Sequence, residues 1–284
     1  MTTPHSQSEE QPRQDTTKQE KRAAEERTAP SGSVVYEAIS KEGVDELERP
    51  SSALAWSGLA AGMSMGFSLV TEGLLRTYLP DAHWRPLVAK FGYSMGFLMV
   101  ILGRQQLFTE NTLTVILPLL KRRKLTVFWN VARLWAVVLA ANILGALAFA
   151  AVVSHSSTFD PEVRKTFAEL GRDALNAPFG TMVLRGIFAG WLIALMVWLL
   201  PFAESFRVLV IILVTYLVAL GRFPHVIAGA VDTLYIVCRG EISVSHWFAA
   251  FFVPTLLGNV LGGVPLVAMI NHAQVMAGKP GTDA

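Results

Sequence analysis

Six long apolar runs follow one another along the chain, at about 52–75, 88–120, 126–153, 181–203, 207–238 and 246–270. A helix crosses the hydrocarbon layer of a bilayer in about 20 residues, so the runs predict an all-α membrane protein with six crossings. The second and fifth runs are longer than one straight crossing needs. Each carries polar residues in its middle, GRQQLFTENT at 103–112 and GRFPH at 221–225. Unwound backbone at membrane depth persists only where protein buries it or where it lines a wet cavity. Both interruptions are therefore expected to break their helices and to face a pathway.

Ahead of these runs, residues 1–33 lack an apolar stretch and a cleavage-like site, which predicts a disordered cytoplasmic tail and not a signal peptide. Between 34 and 49, Val35, Ala38, Ile39, Val44 and Leu47 recur at helical spacing among charges. That pattern fits an amphipathic lead-in helix on the membrane surface and, equally, a solvated one. The transmembrane domain is expected over 50–272, with a short cytoplasmic tail at 273–284.

Composition agrees, since 52% hydrophobic and 16% charged residues leave too much apolar surface for one soluble domain to hide. Charge adds orientation. The first fifty residues hold 7 Lys/Arg against 11 Asp/Glu, which leaves a basic body behind an acidic lead. The basic cluster Lys121 to Lys124 between the second and third runs marks the cytoplasmic side. An even number of crossings then puts both termini inside, and the mixed-charge loop at 154–180 outside. A net charge of +2 gives no reason to expect a nucleic acid partner. The single cysteine, Cys238, excludes an intrachain disulfide and a cysteine-based zinc cluster. No metal-ligand cluster, nucleophile triad or phosphate-binding glycine loop is present, so neither an enzyme nor a cofactor is expected.

The chain also repeats itself. LAANILGALAF from Leu139 matches LLGNVLGGVPL from Leu256, pairing Asn142 with Asn259 and Gly145 with Gly262, 117 positions apart. The same offset carries Phe108 onto His225, so the two interruptions occupy equivalent places. SGLAAG at 57–62 matches RGIFAG at 185–190 with an offset of 128. Three crossings per repeat force the halves into opposite orientations, which predicts an inverted repeat with its pathway at the repeat interface. The glycine pairs at 58/62, 186/190 and 258/262 are expected to let helices pack closely.

The loop Leu107, Phe108, Thr109, Glu110, Asn111, the lone His225 in the other interruption and the GNVLGG run at 258–263 together resemble the formate/nitrite transporter family. The family commonly has asparagines where this chain has Gly229 and Gly190, so the likeness is to a divergent branch. The resemblance spans roughly 50–272. It implies an aquaporin-like six-helix protomer and a homopentamer in the inner membrane with one pore per protomer. It also implies passage of small monovalent anions or their weak acids, with the family's central threonine and histidine falling on Thr109 and His225.

The residues support chemistry of that kind. Each helix that restarts inside the membrane aims unpaired N–H groups and a positive dipole end at the gap, a favourable place for an anion. Leu107 and Phe108 are expected to form an apolar constriction, which a neutral acid passes at far smaller cost than a bare charge. His225 is the expected proton donor, because imidazole exchanges a proton near neutral pH. Thr109 is expected to bond His225 or the anion. Arg104 and Glu110 are close enough in sequence to pair; with Arg222 and Asp232 they are the candidate pore charges. Asn142 and Asn259 are expected to bond backbone across helices, with Asn259 the better candidate to reach the pathway. His83, His155, His246 and His272 fall near the ends of the runs and are expected at the interface. Two alternatives stay open: a channel for neutral solutes, and a non-transporting membrane protein that binds a partner through its charged tail.

Overall fold

A computed structural model of the protein describes residues 30–278. Most of the expected N-terminal tail, and residues 279–284 of the C-terminal one, lie outside the described residues. The described residues form ten α-helical segments: α1 Gly32–Glu48, α2 Ser51–Tyr78, α3 Arg85–Leu102, α4 Ile116–Arg122, α5 Leu125–His155, α6 Pro161–Ala174, α7 Phe179–Leu199, α8 Arg207–Leu220, α9 Ala228–Cys238 and α10 Val244–Ala277. Among the described residues, five are long and apolar enough to cross a membrane: α2, α3, α5, α7 with the turn extending it to Phe202, and α10. Helices α8 and α9 have 14 and 11 residues. At about 1.5 Å per residue neither spans a hydrocarbon layer of about 30 Å alone. They stand in series across the interruption at 221–227, as α3 and α4 do across 103–115.

Glycine decides how closely the helices approach. Helix α2 packs along α5, and α7 along α10. A side chain on Gly62 would strike the Asn142 carbonyl, and one on Gly190 the Asn259 carbonyl. The other glycines of the three pairs lie at these same crossings, with Gly58 against Ala141 and Gly258 against Gly186. Helix α10 accommodates Pro254 and Pro265 with wider turns at Phe248–Phe252 and Val264–Met269, because proline offers no N–H to the preceding turn.

The repeat reaches further than the sequence matches. Helix α6 forms where a loop was expected, because Val163, Phe167 and Leu170 recur at helical spacing and are buried. It is the repeat mate of α1. Gly43 on α1 leaves room for the Thr114 carbonyl, and Gly171 on α6, 128 positions later, leaves room for the Asp232 carbonyl, 118 positions after Thr114. The Tyr36 hydroxyl on α1 donates to the Leu117 carbonyl (3.3 Å), while Tyr235, the mate of Leu117, donates to the carbonyl of Arg164, the mate of Tyr36 (3.1 Å). Each half is thus a short amphipathic helix followed by long apolar ones. The short helix covers the restart after its own half's interruption.

Helix α1 is also tied to the end of the chain. Tyr36 Oη lies 2.8 Å from His272 Nδ1, and both side chains are buried. His272 is therefore a packed core group and not an interfacial one. Burial, with the Glu37 charge beside it, pushes the Tyr36 hydroxyl up to about 12, so it remains a neutral donor.

Candidate functional site

The two interruptions are built by the same bonds. Past the end of α3, the N–H groups of Gly103, Arg104 and Gln105 bond the carbonyls of Met99, Ile101 and Val100. Past the end of α8, those of Gly221, Arg222 and Phe223 bond Leu217, Ala219 and Val218, each 118 positions later. Asn142 then holds the first interruption: its Oδ1 accepts from the Phe108 N–H (2.9 Å), and its Nδ2 donates to the carbonyls of Gly58 and Gln106 (both 2.8 Å). Asn259 holds the second, accepting from the Val226 N–H (2.8 Å) and donating to the carbonyls of Gly186 and Pro224 (both 2.9 Å). Helix-free backbone leaves orphan polar groups that are costly when buried, and one amide on a neighbouring helix satisfies two of them while bonding a carbonyl of α2 or α7 with its remaining hydrogen.

This pairing shifts the expected register by one. Phe108 corresponds to Val226, and Leu107 to His225, because the second half has one residue fewer between interruption and asparagine. Asn259 spends its amide on backbone and lines no cavity among those described below.

Thr109 and His225 meet where the interruptions face each other, with Thr109 Oγ1 2.7 Å from His225 Nε2. The other ring nitrogen, Nδ1, accepts from the N–H groups of Ala228 (3.1 Å) and Ile227 (3.3 Å). A nitrogen accepting from two amides carries no proton, so the neutral ring bears its hydrogen on Nε2 and donates it to Thr109. The Thr109 hydroxyl hydrogen is then free for another acceptor. Phe97 of α3 sets its ring edge-on to His225 at 5.0 Å. No local sequence signal marks Phe97, which lies in an uninterrupted apolar stretch.

Two cavities approach this contact. One, of about 330 Å³, is lined by His225, Arg222 and Asp232 together with Glu72, Lys90 and Arg185. The other, of about 310 Å³, is lined by Arg104 and Glu110 together with Glu42 and Glu46 of α1. The four candidate pore charges thus divide between them. Arg104 does not pair with Glu110: its Nη1 lies 3.2 Å from Glu42 Oε1, because α1 brings a carboxylate over the end of α3. Leu107, Phe108 and Thr109 line neither cavity and are buried. The Phe108 ring packs edge-on against Trp135 at 5.4 Å. Glu72 and Lys90 form an ion pair on the wall of the first cavity, a pairing between distant runs that the sequence reading missed.

Residues 33–273 match the family model described as formate/nitrite transporter. The inner membrane protein YfdC of Escherichia coli strain K12 is 40% identical over 251 residues, covering 88% of this chain and 81% of that protein. The formate channel BtFdhC of Bacillus thuringiensis is 27% identical, covering 84% and 93%. Among solved structures, one titled FNT family ion channel aligns with a TM-score of 0.72 at 18% identity, over 87% of this chain and all of that one. Another, titled pentameric formate channel with formate bound, aligns with a TM-score of 0.69 at 18% identity, over 80% and 98%. A family model that covers most of the chain, joined to a relative at 40% identity, establishes that the chain belongs to the formate/nitrite transporter family.

Proposed function

We propose that the protein carries a small monovalent anion, or its conjugate weak acid, between the two cavities through the partition at Thr109 and His225. Family membership supports anion transport, and the names of two similar proteins point to formate as the class of cargo. The observation that carries the reading is the 2.7 Å Thr109–His225 contact, which links a wall of one cavity to the residue before Glu110 of the other. In this reading α2, α3 with α4, α5, α7, α8 with α9, and α10 make six crossings of an aquaporin-like inverted repeat, the second and fifth broken. The termini and α1 are cytoplasmic, α6 is external, and five copies assemble in the inner membrane with one pathway each. Leu107 and Phe108 keep the partition apolar, so the cargo crosses it as the neutral acid.

In the simplest form His225 hands the anion its proton. The two amides on Nδ1 favour a second form. Making imidazolium requires Nδ1 to give up both bonds, whereas a neutral His225 holds Thr109 oriented as a donor and the anion takes its proton from cavity water. Uptake of formate into proteoliposomes across a pH series separates the two. If His225 is the proton source, His225→Asn abolishes the pH dependence. If it orients Thr109, the variant keeps the wild-type pH profile with a rate roughly ten-fold lower, the scale of one lost hydrogen bond to a charged group. A His225→Asn protein with both the wild-type rate and the wild-type profile overturns both forms.

A further inference from the structure

Half-helices α3 and α8 each end in a residue of left-handed backbone, and in both it is arginine: Arg104 at φ 54° and Arg222 at φ 51°. The position after a helix end is ordinarily glycine's, because a side chain there costs roughly 1 kcal/mol or more. Glycine stands one place earlier in both halves, at Gly103 and Gly221. A strained arginine held at two repeat-related positions, each on a cavity wall, points to a use for the guanidinium.

The two arginines differ in what the repeat sets opposite them. Arg104 is paired with Glu42 of α1. The repeat mate of Glu42, 128 positions on, is Leu170 of α6, which lines the other cavity. Arg222 accordingly has no ion-pair or side-chain hydrogen-bond partner among the described residues, and neither has Arg185 in the same cavity. The other cations there are engaged, Lys90 by Glu72, Arg76 by Asp173 and Arg85 by Asp81.

We infer that Arg222, aided by Arg185, is a capture station for small planar oxyanions at the α6-side mouth, and that Glu42 silences the equivalent station at Arg104. A guanidinium offers such anions two parallel N–H donors, and an uncompensated cation in a cleft raises the local anion concentration. The inference rests on the proposed anion pathway and adds that the two mouths recruit unequally.

The test compares Arg222→Gly with wild type in right-side-out and inverted vesicles. Glycine removes the guanidinium while suiting the left-handed backbone, so the variant should fold with an unchanged or higher Tm. The KM for formate entering from the α6 side should rise about ten-fold, and its dependence on ionic strength should largely disappear. Leu170→Glu, which recreates the Glu42 arrangement, should raise that KM similarly. Glu42→Leu should lower the KM from the opposite side. Thermal stabilisation by formate reads binding without transport: stabilisation of wild type but not of Arg222→Gly, with no flux in either, upholds capture and overturns the transport reading. Flux with unchanged KM and salt dependence in Arg222→Gly overturns capture alone, and neither binding nor flux in wild type overturns both.

Discussion

The two interruptions share their scaffold and differ in what fills it. In the first, polar side chains knit the loop together: Asn111 Nδ2 donates to Gln106 Oε1 and to the Leu107 carbonyl (both 3.1 Å), and Thr112 Oγ1 to the Thr109 carbonyl (2.7 Å). Trp135 Nε1 reaches the Asn111 carbonyl (3.1 Å). In the second, the mate of Asn111 is Gly229, and the ring of Phe251 occupies the space a side chain there would need. One restart is tied by hydrogen bonds and the other by close packing that leaves His225 as its main polar group. Features that repeat, the asparagine clamps and left-handed arginines, build the gap. Features that do not repeat, His225 against Leu107 and Glu42 against Leu170, make its two sides unlike.

If the scaffold is shared, its clamps should be equally costly to lose. Asn142→Ala and Asn259→Ala each strand two buried backbone groups of an interruption at about 1–3 kcal/mol apiece, so both should lower the unfolding temperature sharply or prevent recovery of a folded assembly. Thermal unfolding followed by size-exclusion chromatography checks this, and tolerance of one loss but not the other would break the equivalence. A smaller effect sharpens the contrast in filling. Gly229→Ala should destabilise by about 2 kcal/mol through overpacking against Phe251, and Phe251→Leu in the same chain should recover most of it, whereas Asn111→Ala should gain nothing from Phe251→Leu.

The smallest expected effect concerns the helices that cover the restarts. Tyr36→Phe removes one buried hydroxyl and should cost about 1 kcal/mol, read as faster proteolysis within 32–48. Because the folded value of the Tyr36 hydroxyl is raised to about 12 from 10, docking favours the neutral phenol. Its contribution should be complete below pH 10 and lost as pH rises through about 12. A difference titration of phenolate absorbance between wild type and Tyr36→Phe measures it.

Long apolar runs and the polar residues inside them made the helices and interruptions legible in the sequence, since a polar stretch at membrane depth has few physical explanations. Repeated Asn142 and Asn259 pointed to helix-to-backbone bonding, and the repeat placed Thr109 and His225 near one another. The register within the interruptions differs by one residue from the offset of 117 between Asn142 and Asn259, because an offset taken from helices cannot reveal a connection shortened elsewhere. Helix α6 is obscured by its charge, and its kinship with α1 by how few residues match at the offset of 128, Val35 with Val163, Gly43 with Gly171, Asp45 with Asp173 and Leu47 with Leu175; the contacts of Gly43 and Gly171 make the equivalence plain. Phe97 beside His225, Glu72 with Lys90, and Glu42 with Arg104 join segments distant in the chain, so no local pattern announces them.

The contact between Tyr36 and His272 joins residues 236 positions apart. Helix α1 is made before any of the apolar helices, yet one of its anchors, His272, stands in α10, the tenth of the described helices. Through most of synthesis, Val35, Ile39 and Leu47 have an incomplete surface to meet, and apolar faces left open in this way are what chaperones bind and proteases find. Closure of α1 onto α10 therefore has to wait until α10 has been made. Chains cut before α10 keep that anchor open.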